Sequence, residues 1–164
     1  MKAAIIGYGK MGREIEKILL ERGHSVALVI DTDNASDLNA ANLAQADVAL
    51  EFTTPATAYA NIRTCLENGT AVVSGTTGYS LAQQQQIHAA AQRVPILRSA
   101  NFSLGAAVMA RLLAQAASSL PGWDGALIER HHAGKVDAPS GTAIALAQAM
   151  ALPREGILSV RGGT

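Results

Sequence analysis

Short apolar runs alternate along this chain with longer segments in which apolar residues recur every three or four positions. That alternation predicts parallel strands joined by crossover helices. The runs lie at residues 3–6, 25–30, 48–52, 71–74 and 95–98, and several are apolar throughout, which predicts a sheet covered on both faces. Between the first two, Met11, Ile15, Ile18 and Leu19 fall at helical spacing, with Arg13, Glu14, Glu16 and Lys17 on the remaining surface, and Gly23 ends the helix. A second helix starts at Pro55, carries Tyr59, Ile62 and Leu66 on one side and stops at Gly69. A third, over about 80–92, opens with Ser80 as its cap, and its Gln run at 83–86 reads as a solvated face.

The pattern changes after residues 101–103. A longer Ala/Leu helix occupies 104–120 and ends at Pro121-Gly122. A strand then runs from Gly125 to His132, with Ala126 and Ile128 on one side and Leu127 and Glu129 on the other. A polar turn, a helix over about 140–152 and a strand near 157–160 follow, so the chain divides into a first domain at 1–100 and a second at 101–164.

Composition narrows the choices. Of 164 residues, 49% are hydrophobic but only 4% aromatic, so Ala, Val, Leu and Ile must fill the interior. Thirteen basic residues balance thirteen acidic ones, which leaves no global field to draw nucleic acid or an anionic membrane. The single cysteine, Cys65, reads as inert packing in a reducing compartment. The N-terminus enters a strand without a leader-like segment, and no apolar run approaches the roughly 18 residues of a membrane span, so a cytoplasmic protein is expected.

The first strand leads into Gly7-Tyr8-Gly9-Lys10-Met11-Gly12 and then a helix, the G-x-G-x-x-G arrangement of a dinucleotide cradle. Gly7 allows the tight turn, Gly9 the approach of a pyrophosphate, and Gly12 close packing of helix on strand. Asp31 ends the second strand at the spacing where a carboxylate accepts bonds from ribose hydroxyls. Its charge should repel a 2′-phosphate, so NADH is favoured over NADPH. Phe52-Thr53-Thr54 and Ser74-Gly75-Thr76-Thr77-Gly78 end two further strands with small or hydroxylated groups suited to the nicotinamide half. The fold class that follows is α/β, a doubly wound parallel sheet of Rossmann type followed by part of an α+β substrate-binding domain.

A second concentration of chemistry lies at 129–143, with His131 and His132, Lys135 and a Ser140-Gly141-Thr142 helix start. Adjacent histidines on a strand face opposite ways, and no Cys or carboxylate set completes a metal pattern, so no metal site is expected. A proton donor at neutral pH is the better use of one imidazole. Lys135 and the helix-start N–H groups together suit a substrate carboxylate. His24 and His88 read as surface residues.

The stretches G-Y-G-K-M-G, S-G-T-T-G, A-N-F-S-L-G and E-R-H-H-A-G-K-V-D-A-P-S-G-T-A resemble the fingerprints of the dihydrodipicolinate reductase family over essentially the whole chain. The resemblance implies that Gly7, Tyr8, Gly9, Lys10, Met11, Gly12 and Asp31 hold the adenosine half of the cofactor. Gly75, Thr76, Thr77, Ser99, Ala100, Asn101 and Phe102 would surround the nicotinamide half. His131 would exchange a proton, Lys135 would be a second proton-donating and carboxylate-binding residue, and His132, Ser140, Gly141 and Thr142 would bind an unsaturated cyclic dicarboxylate. The full-length enzyme would be a homotetramer in the diaminopimelate route to lysine. Family members continue past Arg161-Gly162-Gly163 with further strands and a last helix, so the second domain is expected to be incomplete at Thr164. The cradle alone is also compatible with another dehydrogenase of small carboxylated substrates, or with a non-catalytic dinucleotide-binding module.

Overall fold

Five strands, β1 (Lys2–Ile6), β2 (Ser25–Ile30), β3 (Val48–Glu51), β4 (Ala71–Ser74) and β5 (Ile96–Arg98), pair in parallel in the order β2-β1-β3-β4-β5 in this computed structural model, which describes residues 1–163. They belong to one compact unit, Met1–Ser99, and a second unit begins at Ala100. Strand order reverses between β1 and β3, and at such a point the carboxyl ends of the strands part to leave a crevice. The register aligns Ile6 with both Ile30 and Glu51, Glu51 with Ser74, and Ser74 with Arg98. Gly7, Asp31, Phe52, Gly75 and Ser99 therefore all emerge along one edge of the sheet.

Apolar burial is concentrated on the side of α3 (Pro55–Glu67) and α4 (Leu81–Ala90). Ala4, Ile6, Ala49 and Val72 from the sheet meet Ala58, Ile62 and Cys65 from α3 and Ile87 from α4. On the opposite side α1 (Lys10–Glu21) brings Leu19, with Ile15 partly buried, against Ala3 and Ile5. Met11 and Ile18, expected on the same face, are instead exposed. The buried line runs through Gly12 and Leu19, and a residue one step earlier is turned about 100° away from it. Likewise, the expectation of a sheet covered on both faces holds for β1 and relaxes outward. β3 and β4 alternate buried and half-buried positions, and Leu97 on β5 is 57% exposed.

The stretch after β2 holds two short elements that periodicity did not predict. Asp31 and Asn34 close a capping box around a 3-10 turn, Thr32–Asp37, and Asn39 caps α2 (Ala40–Leu43), which delivers Leu43 to the core. A four-residue helix carries too few apolar positions to show a period.

The second unit comprises α5 (Leu104–Ser119), β6 (Leu127–His131), α6 (Gly141–Ala149) and β7 (Ile157–Arg161). β6 and β7 pair in parallel, matching Leu127 to Ile157, Glu129 to Ser159 and His131 to Arg161. These pairs share one face, while Ile128 (70% exposed) and Leu158 (58% exposed) occupy the other. β6 starts two residues later than expected and ends at His131, leaving His132 in the following turn. α6 stops at Ala149 rather than near 152, because Ala151 adopts a left-handed φ of 56°. Among the described residues no helix is long and apolar enough to cross a membrane.

Ile62 is fully buried at the centre of the larger core. Truncation to Ala should lower the stability of the first unit by about 2–5 kcal/mol, and to Val by about 0.5–1.5 kcal/mol. Urea unfolding should show a shifted midpoint with an unchanged slope.

Candidate active site

Sterics dictate the glycine turn after β1. Gly7 sits at φ +94°, and a Cβ there would strike the Phe52 carbonyl, while a Cβ on Gly12 would collide with the Gly7 carbonyl oxygen. Gly9, by contrast, faces open space and is the N-cap of α1 with no side chain bonded over the helix start. The first turn of α1 also lacks any acidic residue, so its N–H groups and dipole present an unneutralised positive end. Beside it lies a crevice of about 310 Å³ lined by Gly7, Gly9, Ile30, Asp31, Phe52 and Thr53 among others. This combination of bare donors, close backbone approach and a nearby carboxylate fits the phosphates and ribose of a dinucleotide.

Asp31 lines that crevice, but its Oδ1 also accepts the N–H of Thr32 at 2.9 Å. Tyr8 donates its hydroxyl to Glu16, which raises the phenol above its ordinary pKa, and the Arg13 guanidinium lies 5.0 Å over the Tyr8 ring. Lys10 and Met11 are exposed at the start of α1.

The neighbouring loops are organised by a residue that sequence reasoning missed. Glu51, at the end of β3, has no exposed surface. Its Oε1 accepts the Thr53 N–H at 2.9 Å, the Thr53 hydroxyl at 2.5 Å and the Thr76 hydroxyl at 3.1 Å, and its Oε2 accepts the Ser74 hydroxyl at 2.5 Å. Ser74 lies 3.0 Å from the Tyr79 hydroxyl, and the Arg98 guanidinium stacks 4.2 Å over the Tyr79 ring. Burial pushes the Tyr79 phenol up. The hydroxyls of Ser74 and Thr76 thus turn inward to a carboxylate rather than outward to the crevice, whereas Thr77 is exposed. Gly75 is required because a Cβ would meet the Phe52 ring.

Glu129 has the equivalent place in the second unit and was likewise not singled out. It is buried, and its Oε1 accepts the Ser140 N–H at 3.0 Å, the Ser159 hydroxyl at 2.8 Å and Arg161 Nη2 at 2.9 Å. Its Oε2 lies 3.0 Å from Nε2 of His131, which is half-buried on the same face of the strand. Burial opposes ionisation of Glu129, but the hydrogen bonds from Ser140, Ser159 and Arg161 outweigh it and hold the carboxyl far below the usual range.

His132 is exposed, but it lies in the turn beyond the end of β6 rather than on the opposite face of the strand. Lys135 Nζ lies 2.7 Å from Asp137 Oδ1, and this partner, with help from the Gly141 backbone, lowers the Asp137 pKa. Asp137 therefore stands against the ammonium and helix-start donors that the sequence suggested for a substrate carboxylate. Ser140 caps α6 by accepting the Ala143 N–H at 3.1 Å, and Thr142 accepts a bond from Asn101 at 2.8 Å. Ala100 packs close to Gly141, where a Cβ would lie 3.3 Å from its own. Asn101 also accepts the Ser103 N–H at 2.7 Å, and Phe102 is exposed. Among the described residues no group of three His, Cys, Asp or Glu could hold a metal ion.

The model of the family "Dihydrodipicolinate reductase, N-terminus" matches residues 1–102, and that of "Dihydrodipicolinate reductase, C-terminus" matches residues 105–164. The chain belongs to the dihydrodipicolinate reductase family. A 4-hydroxy-tetrahydrodipicolinate reductase of Thermomicrobium roseum is 46% identical over 133 residues, covering 80% of this chain and 52% of that relative. One from Stenotrophomonas maltophilia (strain R551-3) is 38% identical over 154 residues, covering 86% and 64%. A solved dipicolinate-bound dihydrodipicolinate reductase from Paenisporosarcina sp. TG-14 shares 29% identity with a TM-score of 0.76, covering 99% of this chain and 78% of that one. The chain spans about half the length of the curated relatives it matches.

The depressed pKa of Glu129 gives this reductase-family chain a pH dependence of known sign. Its stabilising contribution is present above the ordinary Glu value of 4.5 and is lost as pH falls from there towards the lower folded value. Chemical denaturation between pH 7 and about 3 should show the second unit weakening at acid pH, and Glu129→Gln should flatten that part of the profile.

Proposed function

We propose that this chain carries the cofactor and catalytic parts of a 4-hydroxy-tetrahydrodipicolinate reductase, acting in the diaminopimelate route to lysine. The reading rests chiefly on one observation: the solved relative that aligns with 99% of the chain is described as bound to dipicolinate, a planar cyclic dicarboxylate. It assigns residues 1–100 to cofactor binding and 101–164 to substrate binding and proton transfer.

When bound, NAD(P)H supplies the hydride that reduces the unsaturated ring. Gly7, Gly9 and Gly12 admit the pyrophosphate against the α1 N-terminus, and Asp31 accepts bonds from the ribose hydroxyls, which favours NADH. Tyr8, Lys10 and Met11 border the same turn, while Phe52, Gly75, Thr76, Thr77 and the Ser99, Ala100, Asn101 and Phe102 segment surround the nicotinamide. His131 gives a proton to the electron-rich centre created by reduction. Lys135, with His132, Ser140, Gly141 and Thr142, holds the substrate carboxylates, so Asp137 must yield the ammonium when they bind. A lone buried cysteine favours a reducing, cytoplasmic setting, and the family resemblance favours a homotetramer of the full-length protein.

The purified protein that carries this chain should oxidise NADH or NADPH only when the condensation product of pyruvate and aspartate semialdehyde is supplied; silence with both cofactors would remove the reading. His131→Gln should cut turnover by roughly 10²-fold or more with cofactor affinity little changed. Asp31→Ser should move the kcat/KM ratio towards NADPH, and an unchanged ratio would count against the role given to Asp31.

A further inference from the structure

We infer that Glu129 is a positioning residue for His131: it fixes the imidazole as the Nε2–H tautomer and leaves Nδ1 as the nitrogen that exchanges the proton. The two oxygens of Glu129 are used unequally. Oε1 collects three donors, from the Ser140 backbone, the Ser159 hydroxyl and Arg161 Nη2. Oε2 is turned to His131 Nε2 at 3.0 Å. An ionised carboxylate only accepts hydrogen bonds, so the nitrogen facing it must bring the proton. The opposite tautomer would set a nitrogen lone pair against a buried anion.

The other charged groups around His131 do not compete for Nε2. Arg161, directly across the register on β7, is engaged with Glu129 and with the Asp137 carbonyl oxygen. Lys135 and Asp137, in the loop after β6, pair with each other. α6, packed on the same two strands, carries no charged side chain from Gly141 to Ala149.

The proposal rests on the reading of His131 as the proton donor. In the transfer, the Nδ1–H bond of the imidazolium breaks, its electron pair stays on the ring, and the proton bonds to the electron-rich centre of the reduced substrate. The neutral imidazole left behind is the Nε2–H form that Glu129 already accepts, so no rotation or second proton movement is needed before the ring is reprotonated at Nδ1.

Long-range ¹H–¹⁵N NMR of the uniformly labelled chain, recorded at alkaline pH, tests this without any variant. His131 should give the Nε2–H pattern. An Nδ1–H pattern, or an even mixture, overturns the proposal while leaving the role of His131 as donor standing. An Nε2–H pattern combined with an undiminished His131→Gln enzyme overturns that role and the purpose assigned to Glu129 with it. Glu129→Gln should mix the two tautomers and lower kcat by roughly 10²-fold with KM within a few-fold. A Gln variant that lowers kcat while keeping the wild-type tautomer pattern would make Glu129 structural only.

Discussion

Glu51 and Glu129 are carboxylates withdrawn from water, and an anion in that position is tolerated only where donors surround it. The donors in turn dictate the loops. For Glu51 they come from Thr53, Ser74 and Thr76, so the segments leaving β3 and β4 cannot take independent courses. The backbone bonds agree with this: Phe52 donates to Ile6, Gly75 to Glu51 and Ser99 to Ser74, each segment beginning where its neighbour's strand ends. The edge of the sheet proposed to receive the nicotinamide is shaped from inside the sheet.

Glu129 plays the same part with different partners. It joins β6, β7 and the first residue before α6 through one oxygen, in a two-stranded sheet that would be marginal by itself. Here the polar cluster does what an apolar core does elsewhere, holding a short crossover unit in register. Because α5 contains no buried residue and β6 and β7 are exposed on one face, little apolar burial is available to replace it.

What the sequence revealed and what it hid follow from how far apart the interacting residues are. The G-x-G-x-x-G turn was readable because its three glycines fall within six residues, at a spacing that names the motif without reference to the distant Phe52 that crowds Gly7. The α3 face was readable for the same reason, through Ile62 and Leu66 one helical turn apart. Glu51 was hidden because a charged residue closing an apolar strand looks like the strand's exposed end, and its partners Ser74 and Thr76 lie 23 and 25 positions away. Glu129 was noticed only as part of a motif, since Ser159 and Arg161 lie 30 and 32 positions on. The role of Lys135 was suggested by its neighbours in sequence, yet its ion pair with Asp137, two residues on, was overlooked.

Cys65 has a use beyond filling space. It is the one thiol in the chain, it has no exposed surface, and burial together with the nearby Glu51 charge pushes its pKa up to about 12. Alkylating reagents attack the thiolate, so the folded sheet should be inert to them and labelling can proceed only while α3 is lifted away. The chain therefore contains a clock for the opening of its first unit, readable by mass.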